Sequence, residues 1–399
     1  MSPEGNPDYL LSAAAVRERC GIVLAAAKRG ETRHFRLHLD RLGEAVERVV
    51  AVTRRRYPDL DVPFHSRWRH FSAGGIDRAT SVAPGADPAE RASARLDLAI
   101  VSVLLDAGSG PGWRYREAET GLVIARSEGL AVASLRAMQK GLFSADPGNP
   151  WRADAAALAA MTPDRLGDAF QHGPDNPLLG LDGRAALLRR LGKVAAGAPE
   201  VFGEPGRLGR LYDHWLPRRG ELPAPDILRF VLRAFGPIWP GRLSLNGVPL
   251  GDCGRHSAVP GDGLVPFHKL SQWLVYSLIE PLAEARFNVT DIDGLTGLAE
   301  YRNGGLFVDC GIIAPRDTSL LQQRLDPFSE AVVEWRALTL ALLDRLAVRV
   351  RERLGKSAAE FPLAKVLEGG SWAAGREIAA ERRPDGSAPL LIASDGTLF

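Results

Sequence analysis

The sequence predicts a mainly α-helical protein with a few short strands. Apolar residues recur at helical spacing through most of the chain. Proline marks several segment starts and glycine several ends, as helix termini require. No internal repeat or low-complexity tract interrupts the pattern.

Taken in order, PDYLLSAAAVRERCGIVLAAAKRG (7–30) is helical and ends on Gly30, and HFRLHLDRLGEAVERVVAVTRRRYPDL (34–60) is helical up to Pro58. DVPFHSRWRHFSAGGIDR (61–78) is a loop crowded with aromatic, basic and glycine residues. PAERASARLDLAIVSVLLDAG (88–108) and GLVIARSEGLAVASLRAM (121–138) are helices. Residues 143–221 are punctuated by Pro, Gly and Asp around short helices, which suggests a junction between an N-terminal lobe, 1–142, and a C-terminal lobe, 222–399. APDILRFVLRAFG (224–236) follows, then the chemically richest stretch, Leu243–Gly311. The long helix SEAVVEWRALTLALLDRLAVRVRERLG (329–355), the helix LEGGSWAAGREIAAERR (367–383) and an extended APLLIASDGTLF (388–399) close the chain.

At 399 residues, 45% hydrophobic and 25% charged, the chain has the composition of a globular protein with more than one packed lobe. Its 50 basic and 48 acidic residues are interspersed, so no basic face recommends nucleic acid or an anionic membrane as a partner. Cys20, Cys253 and Cys310 are too few for a disulfide framework and fit a reducing cytoplasm. The N-terminus has acids and proline where a signal peptide has basic residues, and no apolar run approaches the roughly 20 residues of a membrane span. The expected location is cytoplasmic.

DAGSGPGWRY (106–115) lacks both the dinucleotide fingerprint and the P-loop lysine, and is read as a helix stop and turn. DIDGLTGLAE (291–300) has its glycine too early for a calcium loop, so Asp291 and Asp293 are expected as turn formers and an N-cap for the helix that carries Glu300. His65, His70, Cys253, His256 and His268 are metal-ligand types without a paired motif, and no bound metal is expected.

PFHKLSQWLVYSLIEPL (266–282) is framed by Pro266 and Pro281 as a helix. On a helical wheel Phe267, Leu270, Leu274 and Leu278 share one face, and Lys269, Gln272, Tyr276 and Glu280 the opposite one, with Trp273 beside them. A solvated surface face is one reading. The surrounding Trp273, Val275, Tyr276 and Ile279 favour another: a helix apolar nearly all round is buried, and its Lys and Glu then need partners or a ligand. Glu300, Tyr301 and Arg302 stand side by side before an Asn-Gly-Gly stop, and the next segment, GGLFVDCGII, is apolar apart from Asp309. Gly304 and Gly305 permit close backbone approach or positive φ. Glu300 is therefore a candidate functional carboxylate.

The strings VPFHSRWRHF, LLDAG, RSEGLAVASL, GPIWPGRL, LVPFHKLSQWLVYSLIEPL, DGLTGLAEYRNGGLFVD, EWRALTLALLDRLA and LEGGSWAAGR, in this order along nearly the whole chain, resemble the uracil-catabolism protein family. That resemblance implies a place in a pyrimidine-degradation route that opens the ring, passes through a ribosylurea, with or without a 5′-phosphate, and liberates urea. The pair GLVPFHKLSQWLVYSL and DIDGLTGLAEYR is also similar to the queuosine-salvage N-glycosidases, which implies a helical, DNA-glycosylase-like core. Lys269 and Gln272 match that family's first block, and Glu300, Tyr301 and Arg302 its acid-Tyr-Arg triplet. Where that family carries an aspartate on the first block, this chain has Ser277.

The implied reaction is hydrolysis of the C1′–N bond of a small ribosyl substrate, without a cofactor. An oxocarbenium-like transition state calls for a carboxylate, expected to be Glu300, with Glu280 or Asp309 as alternative or helper. Lys269, His268 or Tyr301 would protonate the urea. Arg302, with Arg67, Arg69 or Arg255, would hold a phosphate, Gln272 the sugar, and Trp273 and Tyr276 would pack against the ribose. Two other readings stay open: a metal-dependent amidohydrolase using His65, His70, Cys253, His256 or His268, and a non-catalytic pathway partner.

Overall fold

The computed structural model describes residues 5–218, 220–239 and 243–393. Helices dominate, and the strands are two or three residues long and form two-stranded pairs. The mainly α expectation holds. Among the described residues no helix is long and apolar enough to cross a membrane. The described residues divide into two compact units, each assembled from several stretches: 5–65, 243–272 and 291–393 in one, and 66–218, 220–239 and 273–290 in the other.

In the first unit the Ala13–Lys28 helix, capped by the Ser12 hydroxyl, packs along the Glu330–Leu354 helix. Val16, Val23, Leu342 and Leu346 are fully buried, at the helical spacing the sequence displays. The segment after Gly30 differs from expectation. Phe35–Leu37 is a strand, antiparallel to Ile313–Pro315, and the helix begins only at Leu42 and runs to Arg56. Fully buried Glu334 explains the extended start: its carboxylate accepts the Phe35 N–H at 2.8 Å, a partner a helix would not need. The Trp372–Arg382 helix packs on the Tyr301–Asp309 helix.

In the second unit Asp87 caps the Pro88–Leu104 helix, which packs on Arg126–Gln139. GLVI is not helical as expected: Val123–Ala125 pairs antiparallel with Arg114–Arg116, and the helix starts at Arg126. The region 143–218 does contain short helices, among them Ala155–Ala159 and Pro163–Ala169. The turn PIWPGRL and the final extended segment fall partly outside the described residues; Leu391–Ile392 pairs parallel with Arg324–Leu325.

The Lys269–Glu284 helix gives its first turn to the first unit and the remainder to the second. It is buried on nearly all sides, as its all-round apolar character requires. Its ends differ from the two prolines that were expected to frame it. Pro266 ends a strand paired with Cys253, and Pro281 lies inside the helix. Proline has no N–H for the carbonyl four residues back, which is Ser277. The indole N–H of Trp68 supplies that bond at 2.8 Å, so the helix continues.

Candidate active site

Glu300 sits at the junction of a buried extended stretch, Leu295–Ala299, and the Tyr301–Asp309 helix. It is itself the N-cap of that helix, with φ −126° and ψ 171°. Its Oε2 accepts the Arg302 N–H at 2.7 Å and its Oε1 the Asn303 N–H at 2.6 Å. The expected Asp cap is thus corrected. Asp291 stands in the left-handed region before a 3₁₀ turn and makes no side-chain cap, while Asp293 pairs with Arg351 at 2.6 Å. Ser, Thr, Asp and Asn are the usual caps, and a glutamate in that place brings its charge to a helix N-terminus, where it is stabilised. Only 6% of Glu300 is exposed. Burial raises its carboxyl above the ordinary range, against the two backbone N–H groups and the charges of Lys269 and Arg302, which pull it down.

Asn303, Gly304 and Gly305 do not stop the helix, as the sequence suggested; they lie within it. Gly304 is there because the Trp335 ring occupies the space a Cβ would need. The fully buried Asn303 side chain donates to the Leu298 carbonyl at 3.3 Å and accepts from Ser371 Oγ at 2.8 Å. Four residues before Glu300, Thr296 is bonded to Gln272 of the Lys269–Glu284 helix: Gln272 Nε2 donates to Thr296 Oγ1 at 2.8 Å, and Oε1 accepts the Thr296 N–H at 3.2 Å.

Lys269 begins its helix with its N–H donated to Asp252 Oδ2 at 2.9 Å. Asp252 is also gripped by both terminal nitrogens of Arg336 at 2.7 Å. Coulomb attraction from Arg336, the backbone bond from Lys269 and the nearby His268 together outweigh burial and hold the Asp252 carboxyl below its usual range. This pair was not foreseen; the isolated Asp252 before an apolar strand and the mid-helix Arg336 were its only traces. His268 has φ +50° and is buried, which pushes its imidazolium down, and its Nε2 meets the Leu10 carbonyl at 2.8 Å. Arg302 donates Nη1 to the Gly386 carbonyl at 2.9 Å, lies 4.9 Å over the Tyr301 ring, and has a buried Nε without a hydrogen-bond partner.

The unit thus brings Lys269, Gln272, Glu300, Tyr301 and Arg302 into one structural neighbourhood through Glu300 and its cap. It does not bring Asp309 or Arg255 there. Asp309 closes the far end of the helix, about 13 Å along its axis at the standard rise, and Arg383 grips both its oxygens, at 2.8 and 2.6 Å. Arg255 is exposed on a hairpin strand and donates to the Asp262 carbonyl.

Trp273, Tyr276, Arg67, Arg69 and Glu280 belong to the second unit. Trp273 and Tyr276 are buried there. Ser277 Oγ accepts the Arg67 N–H at 2.9 Å and donates to the Trp273 carbonyl at 2.9 Å. Arg67 is fully buried: Nε donates to Ser102 Oγ at 2.8 Å, Nη1 to Asp106 at 2.6 Å, and Nη2 has no hydrogen-bond partner. Glu280 accepts from Ser66 Oγ at 2.8 Å and pairs with Arg69, and burial raises its carboxyl.

The five metal-ligand types are dispersed. His65 meets Glu368 at 2.8 Å, His256 meets Glu334 at 3.2 Å, His70 faces Arg67 at 3.0 Å, and burial pushes the Cys253 thiol up to about 12. Among the described residues no group of three or more His, Cys, Asp or Glu is placed to hold a metal ion. A cavity of about 800 Å³ in the second unit, lined by Val194, Phe230, Arg229 and Pro237 among others, contains none of the candidate residues.

Residues 9–399 match the family described as a protein of unknown function, DUF1688. The chain is 40% identical over 401 residues to "Protein urg3" of Schizosaccharomyces pombe, covering 98% of each chain. It is 35% identical over 442 residues to "Uracil catabolism protein 4" of Lachancea kluyveri, covering 100% of each. The chain belongs to this family of uracil-catabolism proteins.

Proposed function

We propose that this protein acts in uracil catabolism as an N-glycoside hydrolase, cleaving the C1′–N bond of ribosylurea or its 5′-phosphate and releasing urea. The name of the Lachancea relative supports the pathway. The observation that carries the chemistry is the Glu300 carboxylate, buried at a helix N-terminus and oriented by two backbone N–H groups. In this reading the helical core is of the DNA-glycosylase kind.

A glycosyl centre losing its nitrogen becomes positively charged, and a fixed, desolvated carboxylate stabilises it far better than water does. Glu300 takes that role and accepts a proton from the attacking water. Burial raises its carboxyl, and the Arg302 and Asn303 N–H groups, with the charge of Lys269, work against that rise in favour of the ionised form. Gln272, through Thr296, fixes the stretch that delivers Glu300. Arg302 and Tyr301 follow directly on the carboxylate and are the binding groups for the sugar or its phosphate. Urea is a poor anionic leaving group, so its nitrogen must receive a proton as the bond breaks. Asp309 and Glu280 already have arginine partners, and Glu300 is preferred over both.

The test is incubation of the purified protein with ribosylurea and with its 5′-phosphate, with urea measured over time. Release by the wild type and its loss in Glu300→Gln support the reading. A wild type inert toward both compounds rejects it.

A further inference from the structure

Asp252 binds more than Arg336. It stands just before the Cys253–Arg255 strand, and Phe267, His268 and Lys269 follow the Leu264–Pro266 strand that pairs with it, so the two segments meet at the end of the ladder. Three consecutive backbone N–H groups are held there by this one residue. The Asp252 carbonyl accepts those of Phe267 at 2.9 Å and His268 at 3.2 Å, and its Oδ2 accepts that of Lys269 at 2.9 Å. Arg336 fixes the acceptor from the long helix behind: both terminal nitrogens bond the carboxylate, and its Cζ lies 4.0 Å from the centre of the Phe267 ring. Both members of the pair are buried. Gly254 lets the strand lie against the same long helix, where a Cβ would meet the Val333 side chain.

The bracketed corner is strained. His268 has φ +50°, in the left-handed region that is uncommon for a residue with a Cβ, and its buried ring is tied to the Leu10 carbonyl. Such strain persists only where the surroundings over-determine it, and it gathers at functional sites. A buried ion pair is a weak source of stability, and fixing one arrangement is its better-attested use. The corner opens the helix that serves Glu300. The His268 carbonyl accepts the Gln272 N–H at 2.8 Å, and the Gln272 side chain holds Thr296, four residues ahead of Glu300. Lys269 is the first residue of that helix, and its charge acts on the Glu300 carboxyl. All of these residues belong to the first unit.

We propose that Asp252 and Arg336 are positioning residues for the reaction, holding the His268 corner so that Lys269 and Gln272 keep their places toward Glu300. The inference rests on the hydrolase reading above and deepens it. The pair acts through the backbone of residues 267–269. Burial works against the Asp252 carboxylate, but Arg336, the Lys269 N–H and the nearby His268 outweigh it and hold the carboxyl below its usual range, so Asp252 is ionised where Glu300 titrates. The charges that bear on Glu300 are Lys269, from the earlier helix, and Arg302, on its own. A slack corner lets the Lys269 charge withdraw, so the Glu300 carboxyl rises further and more of it is protonated at a given pH.

The test measures kcat/KM for urea release against pH, with thermal midpoints, in wild type, in Arg336→Lys, and in the double variant Asp252→Asn with Arg336→Met. Each is also combined with Lys269→Met. Arg336→Lys keeps the charge and loses the fork, while the double variant removes both charges and leaves neither buried alone. The expected result is an acid limb moved to higher pH in both, with no further movement in the Lys269→Met background. An acid limb that stays in place in both overturns this inference and leaves the hydrolase reading standing. So does a loss of urea release in both that follows a lowered midpoint. A limb that moves as far in the Lys269→Met background as in the wild type overturns it too, because the pair then acts by another route. A wild type that releases no urea removes the hydrolase reading, and this inference with it.

Discussion

Gln272 and Thr296 exchange hydrogen bonds in both directions, from amide Nε2 to hydroxyl at 2.8 Å and from backbone N–H to amide Oε1 at 3.2 Å. Both residues are buried, and Thr296 lies four positions ahead of Glu300. Gln272→Leu removes both bonds in a site of the same size. Breaking such a buried pair costs about 1–3 kcal/mol, which denaturant titration reads as a lower midpoint. Urea release is expected to fall as well, because the stretch 296–300 loses its anchor. Unchanged stability would mean that the two bonds do not matter.

The acid side of the pH–rate profile reports Glu300. Burial raises its carboxyl, and the Arg302 and Asn303 N–H groups and the charges of Lys269 and Arg302 partly offset this. A general base works when ionised, so kcat/KM falls as pH drops through this raised value, above the ordinary carboxylate range near 4.5. Lys269→Met removes one lowering charge, and the acid limb is expected to move to higher pH. A limb that stays in place or moves down argues against a Lys269–Glu300 coupling.

Gly304→Ala places a methyl group into the Trp335 ring. Overpacking of this kind costs about 1–3 kcal/mol. At Gly305 the nearest atom to an added Cβ is Pro389 Cδ at 3.1 Å, a contact with more room to give. Unfolding midpoints are expected to fall clearly more for Gly304→Ala than for Gly305→Ala.

Trp68→Phe keeps most of the ring volume and deletes the donor to the Ser277 carbonyl. Pro281 has no N–H to replace it, so a buried carbonyl is left without that bond. The expected loss is about 1–3 kcal/mol, checked by denaturation. The double change Trp68→Phe with Pro281→Ala is expected to recover part of it, since alanine restores the helical donor.

The helical class and the burial of Lys269–Glu284 were legible because apolar periodicity reports what a helix packs against, and here apolar residues ran nearly all round, flanking even the Lys269, Gln272 and Glu280 row. The ends of that helix were not, because the bond that lets it pass Pro281 comes from Trp68, over two hundred residues away. The same applies to Phe35–Leu37, drawn into a strand by Glu334 and the distant Ile313–Pro315. Glu300 was legible as a carboxylate entering an apolar region. Its capping role was hidden, since glutamate is not a usual cap and Asn303-Gly304-Gly305 reads as a stop until Trp335 is seen above it.

The most direct measurement is urea release from ribosylurea and its 5′-phosphate by wild type and by Glu300→Gln of equal thermal midpoint. The account predicts turnover by the wild type and a loss of about 100-fold or more in the variant. Equal turnover by the two proteins would contradict it.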